Sequence, residues 1–154
     1  IITNGLKDLG LMKGNTTDAV SEGAHGLFFP HGLGHPLGLD VHDMENFGEN
    51  LVGYSDQVQR SQQFGLSNLR FGKELQENMV HTIEPGIYFI PELIKQWQSQ
   101  NKFKPFINYD KVTALIGFGG IRIEDDVFLL KSGCRNLSAC IPKSITEIES
   151  ACGF

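Results

Sequence analysis

Residues 30–43 carry the side chains best suited to chemistry. Three of the five histidines in the 154-residue sequence, His31, His35 and His42, fall within twelve residues of one another. Glycines lie between them, and glycine leaves room for sharp changes of backbone direction. An imidazole is costly to bury without a partner, so this density predicts metal ligation or substrate handling.

Two later segments each add a carboxylate in an unusual setting. Glu84 precedes Pro-Gly in residues 82–86, and Glu124 follows Gly-Gly-Ile-Arg-Ile in residues 119–126. Two carboxylates with one neutral imidazole suit Mn, Fe, Co or Zn, and His35 is the best imidazole candidate. The three segments together predict one hydrolytic metal site. His31 and His42 are expected beside the metal, where they would face the substrate or support the ligands.

Each of these residues taken alone has a simpler interpretation. A lone Glu84 before Pro-Gly is typical of a turn cap or a salt bridge, and an Arg122–Glu124 pair is typical of an exposed ion pair. His25 and His81 are interpreted as structural, because His25 lies at a helix end and His81 points away from Glu84. The joint occurrence of the three segments favours a shared site.

The elements that must position these residues are two strands. Successive strand side chains point to opposite faces, so Glu84 and Glu124 are each expected opposite an apolar row. The strands predicted are residues 79–84, continued by 87–90, and residues 121–131. The residues expected on the core side of the second strand are Ile121 and Ile123.

The other segments predict helices and loops around the strands. We expect helices near residues 1–10, 16–25, 91–97, 110–116 and 144–152, the third opening with Pro91 in its first turn. Residues 27–29 predict a short buried strand, residues 30–43 an extended segment with a turn, and residues 44–78 a long functional loop.

Composition sets the class of protein. The length fits one domain, and 40% hydrophobic with 20% charged residues is ordinary for a globular protein. A net charge of −5 disfavours nucleic acid or an anionic membrane as partner. Three cysteines without metal-site spacing predict reduced thiols, and with no apolar run long enough to span a membrane we expect a cytoplasmic protein.

At the quoted motifs the sequence resembles the pita-bread metallopeptidases. Among them it is most similar to the Xaa-Pro dipeptidases, or prolidases, rather than to aminopeptidase P or methionine aminopeptidase. The matching segments are residues 29–35, 39–43, 84–90 and 118–125. The insertion at 91–118, the tail at 137–143 and the loop at 65–70 favour the dipeptidase group.

The resemblance implies an α+β fold, part of a pita-bread fold in which a curved, mainly antiparallel sheet is backed by helices. It also implies a centre of two divalent metal ions, with Mn expected and Zn, Co or Fe as alternatives. His35, Glu84 and Glu124 would be three of its five ligands, with Glu124 bridging both ions.

The same resemblance implies hydrolysis of the Xaa-Pro peptide bond by a metal-bridging hydroxide. Glu84 would act as base, assisted by His31 and His42, and Arg70 and Arg122 would hold the carboxylate of the proline. The expected substrates are small peptides with proline at the second position, and the full-length protein is expected to be a homodimer.

The resemblance covers residues 1–154 as the C-terminal portion of a catalytic domain. No segment matches the family's N-terminal domain or the hairpin whose two aspartates complete the ligand set. We therefore expect the isolated chain to be an inactive fragment.

Three alternative functions are also compatible with the sequence. The first is aminopeptidase P activity on longer Xaa-Pro peptides, which needs an open exit beyond the proline. The second is a non-catalytic pita-bread module that binds proteins or RNA, although members of that kind typically lose the metal ligands. The third, less favoured, is creatinase-like C–N hydrolysis.

Overall fold

The computed structural model describes residues 1–43, 45–66 and 71–153. The α-helices are α1 (Ile2–Asp8), α2 (Thr16–Glu22), α3 (Glu49–Val52), α4 (Pro91–Ser99), α5 (Tyr109–Thr113) and α6 (Ile145–Cys152). The strands are β1 (Val80–Ile83), β2 (Gly86–Tyr88), β3 (Gly120–Arg122), β4 (Asp125–Leu129) and β5 (Cys134–Asn136). Short 3-10 helices cover Ala24–Leu27 and Glu45–Phe47.

The chain divides into two compact units. The first contains the described residues of Ile1–His31, Ser61–Asn68 and Gly86–Arg122. The second contains the described residues of Gly32–Arg60, Leu69–Pro85 and Ile123–Phe154.

The first unit holds the apolar core. Leu27, Phe28 and Val112 are completely buried, and Trp97 of α4 is almost so. The helices around this core begin at clear signals, since the Asn15 side chain accepts hydrogen bonds at the start of α2 and Pro91 opens α4. In the same unit β2 and β3 form an antiparallel pair.

The second unit is built on a three-stranded antiparallel sheet with the order β1-β4-β5. The β1–β4 register ends with Ile83 opposite Asp125. The histidine-rich segment runs along the other edge of β1, where Pro36 forms a bridge to His81 and the Leu37 N–H donates to the Val80 carbonyl. The sheet therefore brings three separate parts of the sequence alongside one another.

The last part of the second unit is held to β4 by side chains. Hydrogen bonds from Ser138 and from Asn136, followed by the Lys143 ammonium, lower the pKa of Asp125 to about 2, so this carboxyl is ionised at neutral pH. Helix α6 then begins with a capping box in which the Ser144 and Glu147 side chains each hydrogen-bond the other's backbone N–H.

The α+β class and most of the predicted helices are confirmed, but two predicted strands are wrong. Residues 27–29 do not form a strand, because Leu27 ends a 3-10 helix and Phe28 caps it. Residues 121–131 do not form one strand, because β3 ends at Arg122 and β4 begins at Asp125, with Ile123 and Glu124 outside both.

The expected core positions in that interrupted strand are also wrong. Ile121 is 58% exposed and Ile123 is 44% exposed. The alternation of residue types continues through the break, so it could not distinguish one strand from two. Strand β5 was not predicted, since its three residues are all exposed and carry no apolar alternation.

Two expectations from composition can be compared with the structure. All three cysteines are unpaired and exposed, as predicted for reduced thiols. Among the described residues, no helix combines the length and apolarity that a membrane span requires.

Candidate metal centre

His35, Glu84 and Glu124 form a cluster in the second unit. Each contributes one possible ligand atom, and these three atoms lie within 4.8 Å of one another. His35 is buried, Glu84 is half-buried and Glu124 is exposed, so the cluster opens from the protein interior towards solvent. The three segments singled out in the sequence thus meet at one point.

His35 is held in place by β1. Its N–H donates to the Thr82 hydroxyl at 3.0 Å, and its carbonyl accepts from the Thr82 N–H at 3.0 Å. Two residues earlier, the Leu33 carbonyl accepts from the Glu84 N–H at 2.7 Å. The same backbone ladder therefore positions both the imidazole and one of the two carboxylates.

This close approach depends on Gly34. A Cβ atom at position 34 would lie 1.9 Å from the Thr82 carbonyl oxygen, far inside van der Waals contact. Only a residue without a side chain lets the segment run this near to β1.

The His35 ring is oriented by a local hydrogen bond. Its Nδ1 lies 2.9 Å from the Pro36 carbonyl oxygen. A carbonyl can only accept, so we assign the ring proton to Nδ1. Nε2 then carries the lone pair that a metal ion would use, which is the arrangement that commonly supports metal-binding histidines.

The two glutamates occupy matching positions beside paired strands. Glu84 directly follows β1, and Glu124 directly precedes β4. Because β1 and β4 are antiparallel and their register ends at Ile83 and Asp125, the next position on each strand is a glutamate. Two carboxylates held this close repel each other, and a bound cation relieves that repulsion.

The donor set fits a divalent ion of the first transition row. One imidazole nitrogen and two carboxylate oxygens are ligands that Mn, Fe, Co and Zn accept, with positions left over for water, substrate or further ligands. The chain by itself therefore provides an incomplete but chemically coherent metal site.

His42 lies beside this cluster. Its ring packs edge-on against the His35 ring, with centroids 4.3 Å apart, and its Nδ1 is 3.5 Å from a Glu45 carboxylate oxygen. Leu39 and Val41, which lie shortly before His42 in the sequence, are both exposed.

The remaining predicted site residues that the structure describes lie in the first unit. The His31 Nε2 is 3.1 Å from the Tyr88 hydroxyl, and the Phe29 ring packs edge-on against the His31 ring at 4.6 Å. Arg122 is exposed and pairs with Gly86 in the β2–β3 ladder.

Tyr88 is a polar contact that the sequence did not assign. Its hydroxyl contacts the His31 ring. The available signal was its place in the strand that follows Glu84, four residues from that predicted ligand.

Arg70, His25 and His81 are the other residues for which the sequence makes a prediction. Arg70 lies outside the described residues. His25 and His81 are both buried, and neither belongs to the described metal cluster. Both observations agree with the prediction that these histidines are structural. The His81 Nδ1 is 3.0 Å from the Thr82 carbonyl, and burial lowers the pKa of His25 against a smaller opposing effect of an Ala19 backbone hydrogen bond.

Comparison with known proteins identifies the relatives of this chain. Residues 9–131 match the model of metallopeptidase family M24. The Xaa-Pro dipeptidase of Homo sapiens is 39% identical over 145 residues, covering 94% of this chain and 28% of that protein. The Xaa-Pro dipeptidase of Glaesserella parasuis is 42% identical over 118 residues, covering 77% of this chain and 26% of that protein.

A solved structure of Zn-substituted E. coli aminopeptidase P in complex with product has the same fold. It superposes with a TM-score of 0.60 at 31% identity, covering 96% of this chain and 25% of that chain. The chain thus spans little more than a quarter of the length of the curated relatives that it matches.

Proposed function

The chain belongs to metallopeptidase family M24, and we propose that it carries part of the active site of an enzyme that hydrolyses Xaa-Pro bonds, most readily in dipeptides. The observation that supports this proposal most strongly is the convergence of His35, Glu84 and Glu124. The activity is proposed for a protein that contains this chain together with the rest of the catalytic fold.

The proposed cofactor is a pair of divalent metal ions, with Mn as our choice and Zn, Co or Fe as alternatives. His35, Glu84 and Glu124 would supply three of the protein ligands. An ion bound there supplies Lewis-acid chemistry, which makes water nucleophilic near neutral pH and polarises a carbonyl.

In this proposal Glu84 also acts as a general base and acid. One carboxylate oxygen takes the proton of the attacking water and delivers it to the imino nitrogen of the departing proline. The Glu84 N–H is committed to the Leu33 carbonyl, which fixes the backbone from which the carboxylate extends.

The substrate-facing groups are His31, His42, Arg70 and Arg122. His31 and His42 would orient the scissile carbonyl and donate hydrogen bonds as negative charge develops on its oxygen. The Tyr88 hydroxyl, 3.1 Å from His31, limits how that ring can turn. Arg70 and Arg122 would hold the proline carboxylate, for which a guanidinium is well shaped.

Aminopeptidase P activity on longer peptides is the second candidate, because the solved relatives with this fold include aminopeptidase P. A non-catalytic binding module is disfavoured, because a chain with no use for metal has no reason to bring two carboxylates and a histidine together. Metal dependence separates this alternative from both peptidases.

The deciding experiment compares two substrates in a protein that contains this chain and the rest of the fold. With added Mn²⁺, we expect faster release of proline from a Xaa-Pro dipeptide than cleavage of a Xaa-Pro-Yaa tripeptide. The 154-residue chain assayed alone should cleave neither. Faster tripeptide cleavage would identify an aminopeptidase P, and no cleavage with metal present would favour the binding module.

A variant of Arg70 tests the proposed carboxylate clamp in the same assay. Arg70→Ala should raise KM for the dipeptide at least about tenfold, which is the effect of losing one strong charged hydrogen bond. It should change KM for the tripeptide much less, since the tripeptide carries its carboxylate one residue further on. Arg135→Ala, which removes an exposed arginine of β5, is the matched control. Equal effects of Arg70→Ala on both substrates would exclude the clamp.

A further inference from the structure

A polar cluster in the second unit lies next to the proposed metal ligands but outside the motifs that contain them. Asp125 Oδ1 accepts a hydrogen bond from the Ser138 hydroxyl at 2.7 Å and from the Lys143 ammonium at 3.0 Å. We call these three residues the Asp125–Ser138–Lys143 clasp. It joins the first residue of β4 to the segment that precedes α6.

Lys143 is fully used within the clasp. Besides Asp125, its ammonium donates to the Ser138 carbonyl at 2.9 Å and to the Ile141 carbonyl at 3.1 Å. An ammonium group has three donors, and here each has an acceptor. The lysine therefore folds the segment from 138 to 143 around itself as well as binding the carboxylate.

Ser138 also binds the backbone at the start of β4. It is only 8% exposed, and its hydroxyl oxygen accepts from the Asp126 N–H at 3.0 Å. The Asp126 carbonyl accepts in turn from the Leu137 N–H at 2.8 Å. The tail thus binds the side chain of Asp125 and both backbone groups of Asp126.

The start of β4 matters because Glu124 lies directly before it and belongs to no strand. Glu124 lies with Ile123 in the two-residue break between β3 and β4, outside both ladders. Its backbone leads directly into Asp125, which the clasp holds. The Ile123 N–H donates to the Pro85 carbonyl at 3.2 Å, which ties this side of the break to the residue that follows Glu84.

We infer that the Asp125–Ser138–Lys143 clasp positions the carboxylate of Glu124 for metal binding, an inference that rests on the proposed function. Ser138 and Lys143 are positioning residues in this account, because they act through Asp125 and do not themselves bind the ion. Groups that orient metal ligands in this way typically change metal affinity about 10- to 100-fold when removed.

The test is a Co²⁺ titration of the 154-residue chain, followed by the visible absorption of the bound ion. Lys143→Met keeps the length of the side chain and removes its charge, and Ser138→Ala removes the buried hydroxyl. We expect each variant to bind Co²⁺ about 10-fold or more weakly than the wild type, with altered absorption bands at saturation. Lys143→Arg, which retains a cationic donor, should restore most of the affinity.

Two matched controls separate positioning from general destabilisation. Lys131→Met removes an exposed lysine beyond the other end of β4, and Ser144→Ala weakens α6 by removing its cap. Both should bind Co²⁺ like the wild type, and thermal melting reports the stability of every variant.

Each outcome decides the matter. Wild-type binding by Lys143→Met and Ser138→Ala would overturn the inference and leave the metal site standing. Equal weakening by Ser144→Ala would also overturn it, because the effect would then follow stability alone. Failure of the wild-type chain to bind Co²⁺ would overturn the inference for this chain, and the peptidase assay on the longer protein would decide the proposed function separately.

Discussion

At the scale of single residues, Glu84 and Glu124 illustrate how a metal site opposes stability. Their carboxylates repel each other without a cation, so the arrangement costs free energy until an ion binds. Such a pair is therefore better explained by a ligand than by the fold.

Glu124→Gln should separate these two effects. Without metal, the variant should melt at the same temperature as the wild type or slightly higher, because one of two like charges is gone. In a Co²⁺ titration it should bind at least about tenfold more weakly, since a carboxylate ligand is lost. Glu77→Gln, which changes an exposed glutamate before β1, should alter neither measurement. A lower melting temperature for metal-free Glu124→Gln would mean that this carboxylate stabilises the fold.

His25 predicts a second single-residue effect, on the pH dependence of stability. Burial lowers its pKa below the usual 6.5, and among the residues that the structure describes its Nδ1 has no hydrogen-bond partner. Below pH 6.5 the unfolded chain takes up a proton that the native imidazole still refuses. The stability that His25 contributes is thus complete above pH 6.5 and is lost as the pH falls towards its lowered native pKa.

Denaturant unfolding with EDTA present, at pH 7.5 and 5.5, measures this contribution. His25→Leu should lose less free energy of unfolding between the two pH values than the wild type. An unchanged pH dependence in His25→Leu would show that His25 is protonated equally in both states.

At the scale of elements, the approach of the histidine segment to β1 determines the site. That approach is set by backbone, because a Cβ at Gly34 would overlap the Thr82 carbonyl oxygen. Gly34→Ala should therefore separate the segment from the strand, weakening Co²⁺ binding at least about tenfold and destabilising the chain by about 1–3 kcal/mol.

Gly5→Ala is the matched control for this substitution. Gly5 lies within α1, and a Cβ there would meet nothing within 4 Å. The helix propensity of alanine should raise stability by about 0.5–1 kcal/mol and leave Co²⁺ binding unchanged. Normal metal binding by Gly34→Ala would show that the segment can move away without displacing His35.

The same elements show what the sequence could and could not predict. The metal cluster was predictable because its three ligands each lie in a short motif with an unusual composition. The break at Ile123 and Glu124 was not, because apolar and polar residues keep alternating through it and the alternation carries no information about pairing. The chain stops pairing with β2 at Arg122 and starts pairing with β1 at Asp125. The position of that change is determined by tertiary structure.

Two other differences have local causes. The apolar run at 27–29 suits a buried strand and a buried helical turn equally well, and burial inside the core of the first unit decided between them. The helix predicted near residues 16–25 ends at Glu22, because Gly23 takes up a left-handed conformation with φ of 89° and Ala24–Leu27 form a 3-10 helix.

At the scale of the whole molecule, apolar core and metal ligands are divided between the two units. The described apolar core cluster consists of first-unit residues, whereas His35, Glu84 and Glu124 all belong to the second unit. The second unit therefore depends more on hydrogen bonds and on any ion that it binds.

Hydrogen exchange should reveal this division. Saturating Co²⁺ should slow amide exchange in β1 and β4, because a ligand that binds only the folded state stabilises it by mass action. Exchange in α4 and α5 of the first unit should change much less. The same titration should reach saturation near one ion per chain, because the described cluster has three ligands. Equal protection of both units would show that they unfold as one.

The absent side chain at position 34 also bears on protein engineering. The spacing between the histidine segment and β1 is a property of the main chain, so it should survive changes to the ligand that the segment presents. Replacing His35 by cysteine or aspartate would then alter the softness of the donor set while its location stays constant. The segment would serve as a scaffold on which metal preference can be redesigned one ligand at a time, provided that position 34 remains glycine.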